Sequence, residues 1–379
     1  MTKIWNAIKK FIRTTDMVVL LICVALSVLS LFLLAGILRT DYISTLRLSD
    51  SSFYIQIVAV VLGIVSACVL SRADYQLYTR TWKFHYPFFY LLVILTFFVG
   101  VGGTGREADK LWLKIPFINF NLQPSEFLKI SFIITMAYLI SKVRKDINRP
   151  RNILMLLAHI AVPVVLIQQQ GDTGTALMFF LIAITMIFAA GLNWKYIAGL
   201  GGAVVAALPV IWFFVLNNFH RSRVLALFFG ASSGVDASYL YQQERAKIVI
   251  GSGQLFGKGL FSESHLSVPE IHNDFIFSFL AESFGFIGAF GVIILFVVLC
   301  LKLLYNGYTA FDSEGQLIFV GVFAMLGFGA LINIGMNLSV LPVIGNPLPF
   351  LSRGGSSTLS NYVAIGVALS VYHSKKAIL

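Results

Sequence analysis

The sequence predicts an all-α polytopic membrane protein with about ten transmembrane helices. Of its 379 residues, 58% are hydrophobic and only 12% are charged, whereas soluble domains have about 45–50% and about 25% respectively. The mean hydropathy is +0.85, and apolar runs of about 20 residues, long enough to cross a bilayer, recur along the chain. This composition excludes soluble enzymes, nucleic-acid-binding proteins and disordered chains.

Ten segments are apolar enough to be predicted as spans, although the third, fifth and sixth are short. They cover residues 17–38, 53–70, 86–101, 125–141, 153–167, 175–191, 196–216, 274–304, 316–338 and 356–373. The basic amino terminus precedes an apolar run as in a signal peptide, but no small-residue cleavage site follows. We therefore expect the first span to be retained and residues 1–379 to form a single transmembrane domain.

The distribution of basic residues predicts the orientation of the spans. The net charge of +11 comes from short basic clusters between apolar runs, not from one contiguous face. Alternate segments, which include Lys9, Arg72, Arg144 and Lys375, hold most of the basic residues of the short loops. Because cytoplasmic loops are enriched in lysine and arginine, both termini are predicted to be cytoplasmic.

One long loop, about residues 217–273, faces the extracytoplasmic side in this topology. Loops of this length without a span are uncommon and are usually functional. Residues 239–250 mix aromatic, charged and aliphatic side chains, which predicts a short amphipathic helix at the membrane surface. The glycine-rich stretch 251–259 lacks the spacing of a phosphate-binding loop, so we expect flexible backbone there.

Ionisable residues at the outer ends of the spans are the candidate functional residues, because charge at membrane depth is costly and commonly functional. They are Glu126 and Lys129 in the fourth span, Asp172 before the sixth, Asp274 at the start of the eighth and Arg353 before the tenth. Since four separate segments supply them at one depth, we predict a shared cavity that opens outward.

The sequence leaves structural roles open for several of these residues. Glu126 suits the first turn of a helix and could simply pair with Lys129 three residues later. Lys129 could also extend its ammonium group to the membrane surface, and Asp172 or Asp274 could cap a helix. The proline-rich run 341–350 cannot be regular helix, and such backbone is tolerated at membrane depth only inside protein or beside a cavity.

Five motifs carry a resemblance to a known family. They are QPSEFLK (123–129), QQGDTGTAL (169–177), YQQERAKIVIGSGQLFGKG (241–259), VPEIHNDFIFSFLAE (268–282) and NIGMNLSVLPVIGNPLPFLSRGGSS (333–357). Together they resemble the SEDS family (shape, elongation, division and sporulation), its RodA branch more than its FtsW branch, over essentially the whole chain.

This resemblance implies a ten-helix peptidoglycan glycosyltransferase in the bacterial cytoplasmic membrane, polymerising lipid II at the extracytoplasmic face for cell elongation, shape or division. The implied partners are lipid II, a class B penicillin-binding protein acting as transpeptidase, and other membrane proteins of the elongation or division complex. By match to the family's motifs, Asp274 corresponds to the essential aspartate. Glu126, Lys129 and Asp172 correspond to its other required polar residues.

The chain departs from the family pattern at four positions. Arg353 stands where an aromatic residue is common, and Ser283 stands where a second acidic residue is common. Ser339 and Gln254 each replace a usual glycine. None of these changes touches the four acidic and basic positions Glu126, Lys129, Asp172 and Asp274, so they bear on the subgroup more than on the activity.

The chemistry of glycan polymerisation predicts a role for each candidate residue. Asp274 is the predicted general base for the attacking sugar hydroxyl, a role worth about 10²–10⁴ in rate. Lys129, with Arg353, would stabilise the pyrophosphate leaving group. Glu126 and Asp172 would position Lys129 or bind a divalent cation such as Mg²⁺ or Mn²⁺; the sequence establishes no cofactor or metal site.

Two other functions fit the composition. A flippase for the lipid-linked precursor would also need many helices and a polar cavity, but its charged groups should be accessible from both sides. A scaffold that only recruits a penicillin-binding protein would not need charged residues inside the membrane. The clustering of candidate residues at one face favours the polymerase.

Overall fold

The computed structural model describes residues 2–39, 50–102, 110–115, 120–215, 221, 225 and 238–378. The predicted long loop therefore lies partly outside the described residues. In chain order the helices are α1 (Thr2–Thr14), α2 (Met17–Arg39), α3 (Asp50–Leu70), α4 (Tyr75–Arg80), α5 (Trp82–Val99), α6 (Pro124–Val143), α7 (Pro150–Gln169), α8 (Thr173–Ala189), α9 (Trp194–Val210), α10 (Ser238–Ser252), α11 (Ile276–Tyr308), α12 (Ser313–Asn337) and α13 (Gly355–Ile378). A π-helical segment, Ile211–Val215, continues α9.

Helices occupy all ten predicted spans, which confirms the all-α polytopic class. In the described part of the chain, six helices are long and apolar enough to cross a membrane: Met17–Arg39, Ser52–Leu70, Trp82–Val99, Pro150–Gln169, Ile276–Tyr308 and Ser313–Asn337. Thr173–Ala189 is a shorter apolar helix. The helices α6 and α13 are more polar and are largely buried, because they pack on α12, α8 and α3 inside the bundle.

A small antiparallel sheet, which the sequence did not predict, leads into α6. Its strands are β1 (Val101–Gly102), β2 (Lys110–Lys114) and β3 (Asn121–Leu122), in the order β1-β2-β3. Val101 pairs with Trp112, and Leu122 pairs with Leu113. Because β3 ends just before Pro124, the sheet fixes the position at which α6 begins.

The helix α11 is interrupted at Gly285, whose φ of 66° and ψ of −167° are not helical. That region of backbone conformation is essentially restricted to glycine. The amide N–H groups of Phe286 and Ile287 donate to the carbonyl oxygens of Gln254 and Leu255, at 2.8 and 3.2 Å. The residues before the break are buried, whereas the segment after it exposes a large apolar face.

The glycine-rich stretch 251–259 fills this break, so the expectation of flexible backbone there was wrong. A Cβ atom on Gly257 would collide with the carbonyl group of Ser283, and one on Gly253 would collide with the carbonyl oxygen of Ala281. The glycines are therefore required for close packing of two backbones. The preceding helix α10 was predicted, but its inward face, including Gln243, packs on α11 and α12.

The bundle has two distinct ends. At one end, which we call the terminal end, Asp16 before α2 accepts hydrogen bonds from Lys302 and Asn306 of α11, at 3.1 and 2.8 Å. Tyr75 donates to Asp312 there at 2.7 Å. At the other end, the loop end, the starts of α6, α8, α11 and α13 meet the end of α12. All five candidate residues belong to the loop end.

Candidate active site

Asp274 lies in a turn immediately before α11, at the loop end of the bundle. The predicted span began at this residue, but the helix begins at Ile276 and its N-cap is Phe275, which makes no side-chain capping bond. Asp274 is half-buried. Asp274 therefore lies in the turn that leads into the helix, and it is not the N-cap that one alternative predicted.

Two asparagines of α12 hold the backbone of this turn. The side-chain amides of Asn333 and Asn337 both donate to the carbonyl oxygen of Asp274, each at 2.9 Å. Asn337 also accepts from the backbone N–H and the hydroxyl of Ser278, at 3.1 and 2.6 Å. Both asparagine side chains are fully buried, so their bonds cannot exchange with water and the turn is firmly positioned.

The proline-rich segment 341–350 passes between Asp274 and the start of α8. Asn333 donates to the carbonyl oxygen of Asn346 at 2.8 Å, which ties this segment to the same asparagine that holds Asp274. A Cβ atom on Gly345 would lie 3.8 Å from Asp274 Oδ2, and one on Gly174 would lie 2.5 Å from the carbonyl oxygen of Ile344. The segment thus lies against both helix starts and is not regular helix, as the sequence predicted; most of it is buried or half-buried, and Gly345 is exposed.

Glu126 and Lys129 form a buried ion pair in the first turns of α6. Lys129 Nζ lies 2.7 Å from Glu126 Oε1, and each side chain is only 6% exposed. Ser360 of α13 donates to Glu126 Oε2 at 3.0 Å. Pairing and hydrogen bonding offset the cost of burying these charges, and they keep the ammonium group at a fixed position near the loop end.

Asp172 is the N-cap of α8, as one of the alternatives predicted. Its Oδ1 accepts from the backbone N–H of Thr175 at 2.9 Å, and its Oδ2 accepts from the side chain of Gln123 at 3.0 Å. Desolvation raises the pKa of Asp172; the hydrogen bonds from Thr175 oppose this, and the charges of Glu126 and Lys129 act in opposite directions. Both charges of the buried ion pair therefore act on the pKa of Asp172.

A backbone hydrogen bond connects Arg353 to the turn that contains Asp274. Its N–H donates to the carbonyl oxygen of His272 at 2.9 Å. Burial lowers the pKa of the Arg353 guanidinium, while the nearby charge of Glu270 opposes that shift. Burial, aided by the charge of Arg353, lowers the pKa of His272 to about 4. His272 is thus neutral at neutral pH, and Arg353 provides the positive charge beside the turn.

A second buried ionic cluster, which the sequence did not single out, lies near the break in α11. Glu282 is completely buried and is paired with Lys258 Nζ at 2.7 Å and with His265 Nδ1 at 2.9 Å. It also accepts from the backbone N–H of Leu266 and the hydroxyl of Ser252. This cluster connects the chain between α10 and α11 to the part of α11 that precedes Gly285.

The candidate residues fall into two neighbouring groups. Glu126, Lys129 and Asp172 form one group through contacts and charge, and Asp274 and Arg353 form the other around one turn. The proline-rich segment connects the groups, whereas a shared open cavity stays a prediction. Among the described residues, no three histidine, cysteine or acidic side chains lie together in a way that could hold a metal ion, and both Glu126 and Asp172 already have hydrogen-bond partners.

The helices of membrane length define a polytopic membrane protein. The buried acidic and basic side chains give it a polar site at the loop end. The chain belongs to the FtsW/RodA/SpoVE family of cell cycle proteins, whose family model matches residues 15–377. This confirms the family predicted from the five motifs.

Relatives named FtsW and MrdB resemble most of the chain. A Geobacter metallireducens protein named "Probable peptidoglycan glycosyltransferase FtsW" is 31% identical over 372 residues, covering 96% of each chain. The "Peptidoglycan glycosyltransferase MrdB" of Escherichia coli K12 is 32% identical over 323 residues, covering 84% of each.

Solved structures share the fold. The rod shape determining protein RodA of Thermus thermophilus matches with a TM-score of 0.66 at 23% identity, over 94% of this chain and 96% of RodA. A chain from a peptidoglycan synthase complex, described as coordinating polymerization and crosslinking, matches with a TM-score of 0.75 at 23% identity, over 96% of this chain and 98% of that one.

Proposed function

We propose that this chain is a peptidoglycan glycosyltransferase that polymerises lipid II into glycan strands at the outer face of the bacterial cytoplasmic membrane. Its family and the names of relatives that match most of its length support this activity. The observation that carries the proposal within the molecule is the Asp274 turn, which two buried amides hold and to which the backbone of Arg353 is bonded through the His272 carbonyl oxygen.

Asp274 acts as the general base in this proposal. The acceptor sugar hydroxyl attacks the anomeric carbon of the donor, and its proton passes to the Asp274 carboxylate as the new C–O bond forms. The bond between the anomeric carbon and the phosphate oxygen breaks, and the polyprenyl pyrophosphate leaves with the bonding electrons. A single displacement of this kind inverts the anomeric centre.

Lys129 and Arg353 stabilise the pyrophosphate in this proposal. A pyrophosphate leaving group needs positive charge that is already in place when its own charge develops. The ion pair with Glu126 holds the Lys129 ammonium group in one position, with 2.7 Å between Lys129 Nζ and Glu126 Oε1. Arg353 is positioned through its backbone bond to His272, two residues from Asp274.

The proposed orientation places both termini in the cytoplasm and the loop end outside. Single cysteines can test this at two exposed positions, Glu263 in the long loop and Lys145 between α6 and α7. A membrane-impermeant thiol reagent added to intact cells should label Glu263→Cys and leave Lys145→Cys unlabelled. Equal labelling of both positions from outside would contradict the topology.

The proposed protein partner is a class B penicillin-binding protein that crosslinks the new strands. A chain with the same fold occurs in a complex described as coordinating polymerization and crosslinking, which supports a similar arrangement here. Lipid II is the proposed substrate, because its polyprenyl tail suits a site at the edge of a helix bundle in the bilayer.

The flippase and scaffold alternatives lack a matching observation in the described part of the chain. A flippase needs a polar path between the two ends, yet the buried ion pair, the Asp172 cap and the Asp274 turn all lie at the loop end. A scaffold does not need a buried Glu126–Lys129 pair.

The decisive experiment compares Asp274→Asn with a matched variant, Asp312→Asn, in polymerisation of labelled lipid II by purified protein. Asp312 caps α12 at the terminal end, where its Oδ1 accepts from the backbone N–H of Gly315 at 2.8 Å. Asparagine retains an acceptor oxygen at either position but cannot take a proton as a carboxylate does.

We expect Asp274→Asn to fold, to bind its transpeptidase and to lose activity by at least roughly 10²-fold, the contribution of proton transfer. Asp312→Asn should retain most activity. If well-folded Asp274→Asn polymerised lipid II within a few-fold of the parent, Asp274 would not be the base. If the parent produced no glycan polymer, alone or with its transpeptidase, the proposed enzyme activity would be wrong.

A further inference from the structure

The helix α1, which precedes the first span, has no role in the proposed site and has an unusual composition. Its sequence, TKIWNAIKKFIRT, contains basic but no acidic residues. Apolar residues recur at a spacing of three or four along it, so they share one face of the helix. Lys10 and Arg13 fall on the opposite face, and Lys9 lies at the edge of that face, next to Trp5. The helix is therefore strongly amphipathic, with a cationic polar side.

Part of the apolar side of α1 is exposed in the described structure. Trp5 is 58% exposed and Ile12 is 51% exposed. A soluble protein would not leave such a face open to water, because exposed apolar surface of this kind marks an interaction site. Lys9 Nζ lies 5.2 Å from the ring centroid of Trp5, which places a tryptophan and a cation side by side, as at membrane interfaces.

The carboxyl end of α1 is fixed to the terminal end of the bundle. The guanidinium of Arg72 lies 4.3 Å from the ring centroid of Phe11, and its Nη1 donates to the hydroxyl of Thr14 at 2.9 Å. Asp16 then caps the spanning helix α2 by accepting from the N–H of Val18 at 3.1 Å. Only two residues separate α1 from α2, so α1 must lie at the level where the bilayer begins.

We propose that α1 is an interfacial helix that binds the anionic lipid surface at the terminal end of the bundle. Its apolar face enters the boundary between headgroups and acyl chains, and Lys9, Lys10 and Arg13 contact the lipid phosphates. Charge complementarity selects this occupant, because a cationic face without acidic residues fits an anionic bilayer. Each basic residue near such a surface favours the docked state by roughly fivefold.

The test uses the full-length chain with a nitroxide at Ile12→Cys, after replacing Cys23, Cys68 and Cys300 with alanine. The protein is reconstituted into nanodiscs of phosphatidylcholine alone or of an equimolar mixture with phosphatidylglycerol. Electron paramagnetic resonance then compares access of oxygen, which enters lipid, with access of a water-soluble nickel complex. In the anionic discs, we expect the label to be open to oxygen and shielded from nickel.

Charge variants test whether the basic side chains of α1 cause its binding to anionic lipid. Lys9→Glu/Lys10→Glu should lower the ratio of docked to undocked helix in anionic discs by at least roughly 25-fold, since two contributions of about fivefold are lost. Lys9→Arg/Lys10→Arg should keep the parent behaviour, which separates charge from local helix stability. The matched control is Lys375→Glu/Lys376→Glu, at the end of α13, which should leave the label at position 12 unchanged.

Two results would overturn the proposal. A label that stays open to the nickel complex in anionic discs would show that α1 does not rest on lipid and that its apolar face has a protein partner instead. Equal shielding in both lipid mixtures, unaffected by charge reversal, would show apolar insertion without recognition of anionic headgroups. Neither result depends on whether the chain polymerises lipid II.

Discussion

Replacing Asn337 with alanine should both destabilise the protein and displace its candidate base. The substitution removes one of the two amide donors to the Asp274 carbonyl and the acceptor for both the N–H and the hydroxyl of Ser278. Asn333 still holds the carbonyl, and Phe275 still accepts from the Ser278 N–H. The hydroxyl of Ser278 loses its acceptor inside the protein.

The magnitude follows from these contacts. A net hydrogen bond contributes about 1 kcal/mol, and a buried polar group without a partner costs about 1–3 kcal/mol. We therefore expect Asn337→Ala to lower the free energy of unfolding by roughly 2–4 kcal/mol. Because a displacement of about 1 Å at a reacting group can lower the rate by about 10²-fold, polymerisation should fall by a similar factor.

The matched control is Asn306→Ala, at the opposite end of α11. Asn306 is also buried, and its side-chain amide donates to Asp16 Oδ2 at 2.8 Å. Thermal unfolding in detergent measures the stability of both variants, and gel analysis of labelled lipid II measures their activity per folded molecule. Activity should fall for Asn337→Ala but not for Asn306→Ala. Equal activity losses at similar stability would refute a specific role for Asn337 in placing Asp274.

Three further outcomes are expected. Lys129→Met should destabilise the bundle by roughly 3–5 kcal/mol because it leaves Glu126 buried and unpaired, and Glu126→Gln/Lys129→Met should recover folding, measured by size-exclusion chromatography, without recovering polymerisation. Gly285→Ala should lower stability by roughly 3 kcal/mol or more through backbone strain and steric overlap, whereas Gly291→Ala, which meets nothing within 4 Å, should unfold at nearly the parent temperature. Burial lowers the pKa of His272 from 6.5 to about 4, so the folded state binds its proton less readily than the unfolded chain. Stability should fall as the pH drops from about 6.5 to about 4, by roughly 3 kcal/mol at the lower limit, and His272→Asn should remove this decrease in unfolding experiments across that range.

Local features of the sequence predicted the spans and several contacts. Apolar runs of membrane length identified the long apolar helices, because a spanning helix needs about 20 mostly apolar residues. The spacing of Glu126 and Lys129 indicated their ion pair, and the position of Asp172 before an apolar run indicated its capping role. Each of these contacts joins residues at most three positions apart, so the geometry of one helical turn is enough to predict it.

Contacts between distant segments could not be predicted in the same way. Asn333 and Asn337 reach Asp274 across 59 and 63 residues, and nothing near Asp274 indicates which helix will hold its turn. A signal was present, since two amides four residues apart in an apolar span lie on one face of the helix and require buried partners.

The glycine-rich stretch shows a different limit of sequence analysis. Glycine is used both where backbone is mobile and where two backbones approach closely, and the sequence does not separate these uses. Ser339 and Gln254, at positions where the resemblance to the family implied glycine, have positive φ angles of 56° and 49°. The fold therefore retains the backbone conformation of a glycine position even where the glycine itself is absent.

The break at Gly285 also affects how the protein fits bilayers of different thickness. A continuous α11 of 33 residues would be roughly 50 Å long, far more than the hydrocarbon core of about 30 Å. The part from Phe286 to Tyr308 is only roughly 34 Å long, so it can match the core with little tilt. A mismatch between helix length and bilayer thickness then changes the tilt of Phe286–Tyr308, and the residues before the break keep their geometry. Asp274 can therefore remain at one height relative to its neighbours while the surrounding lipid thins or thickens.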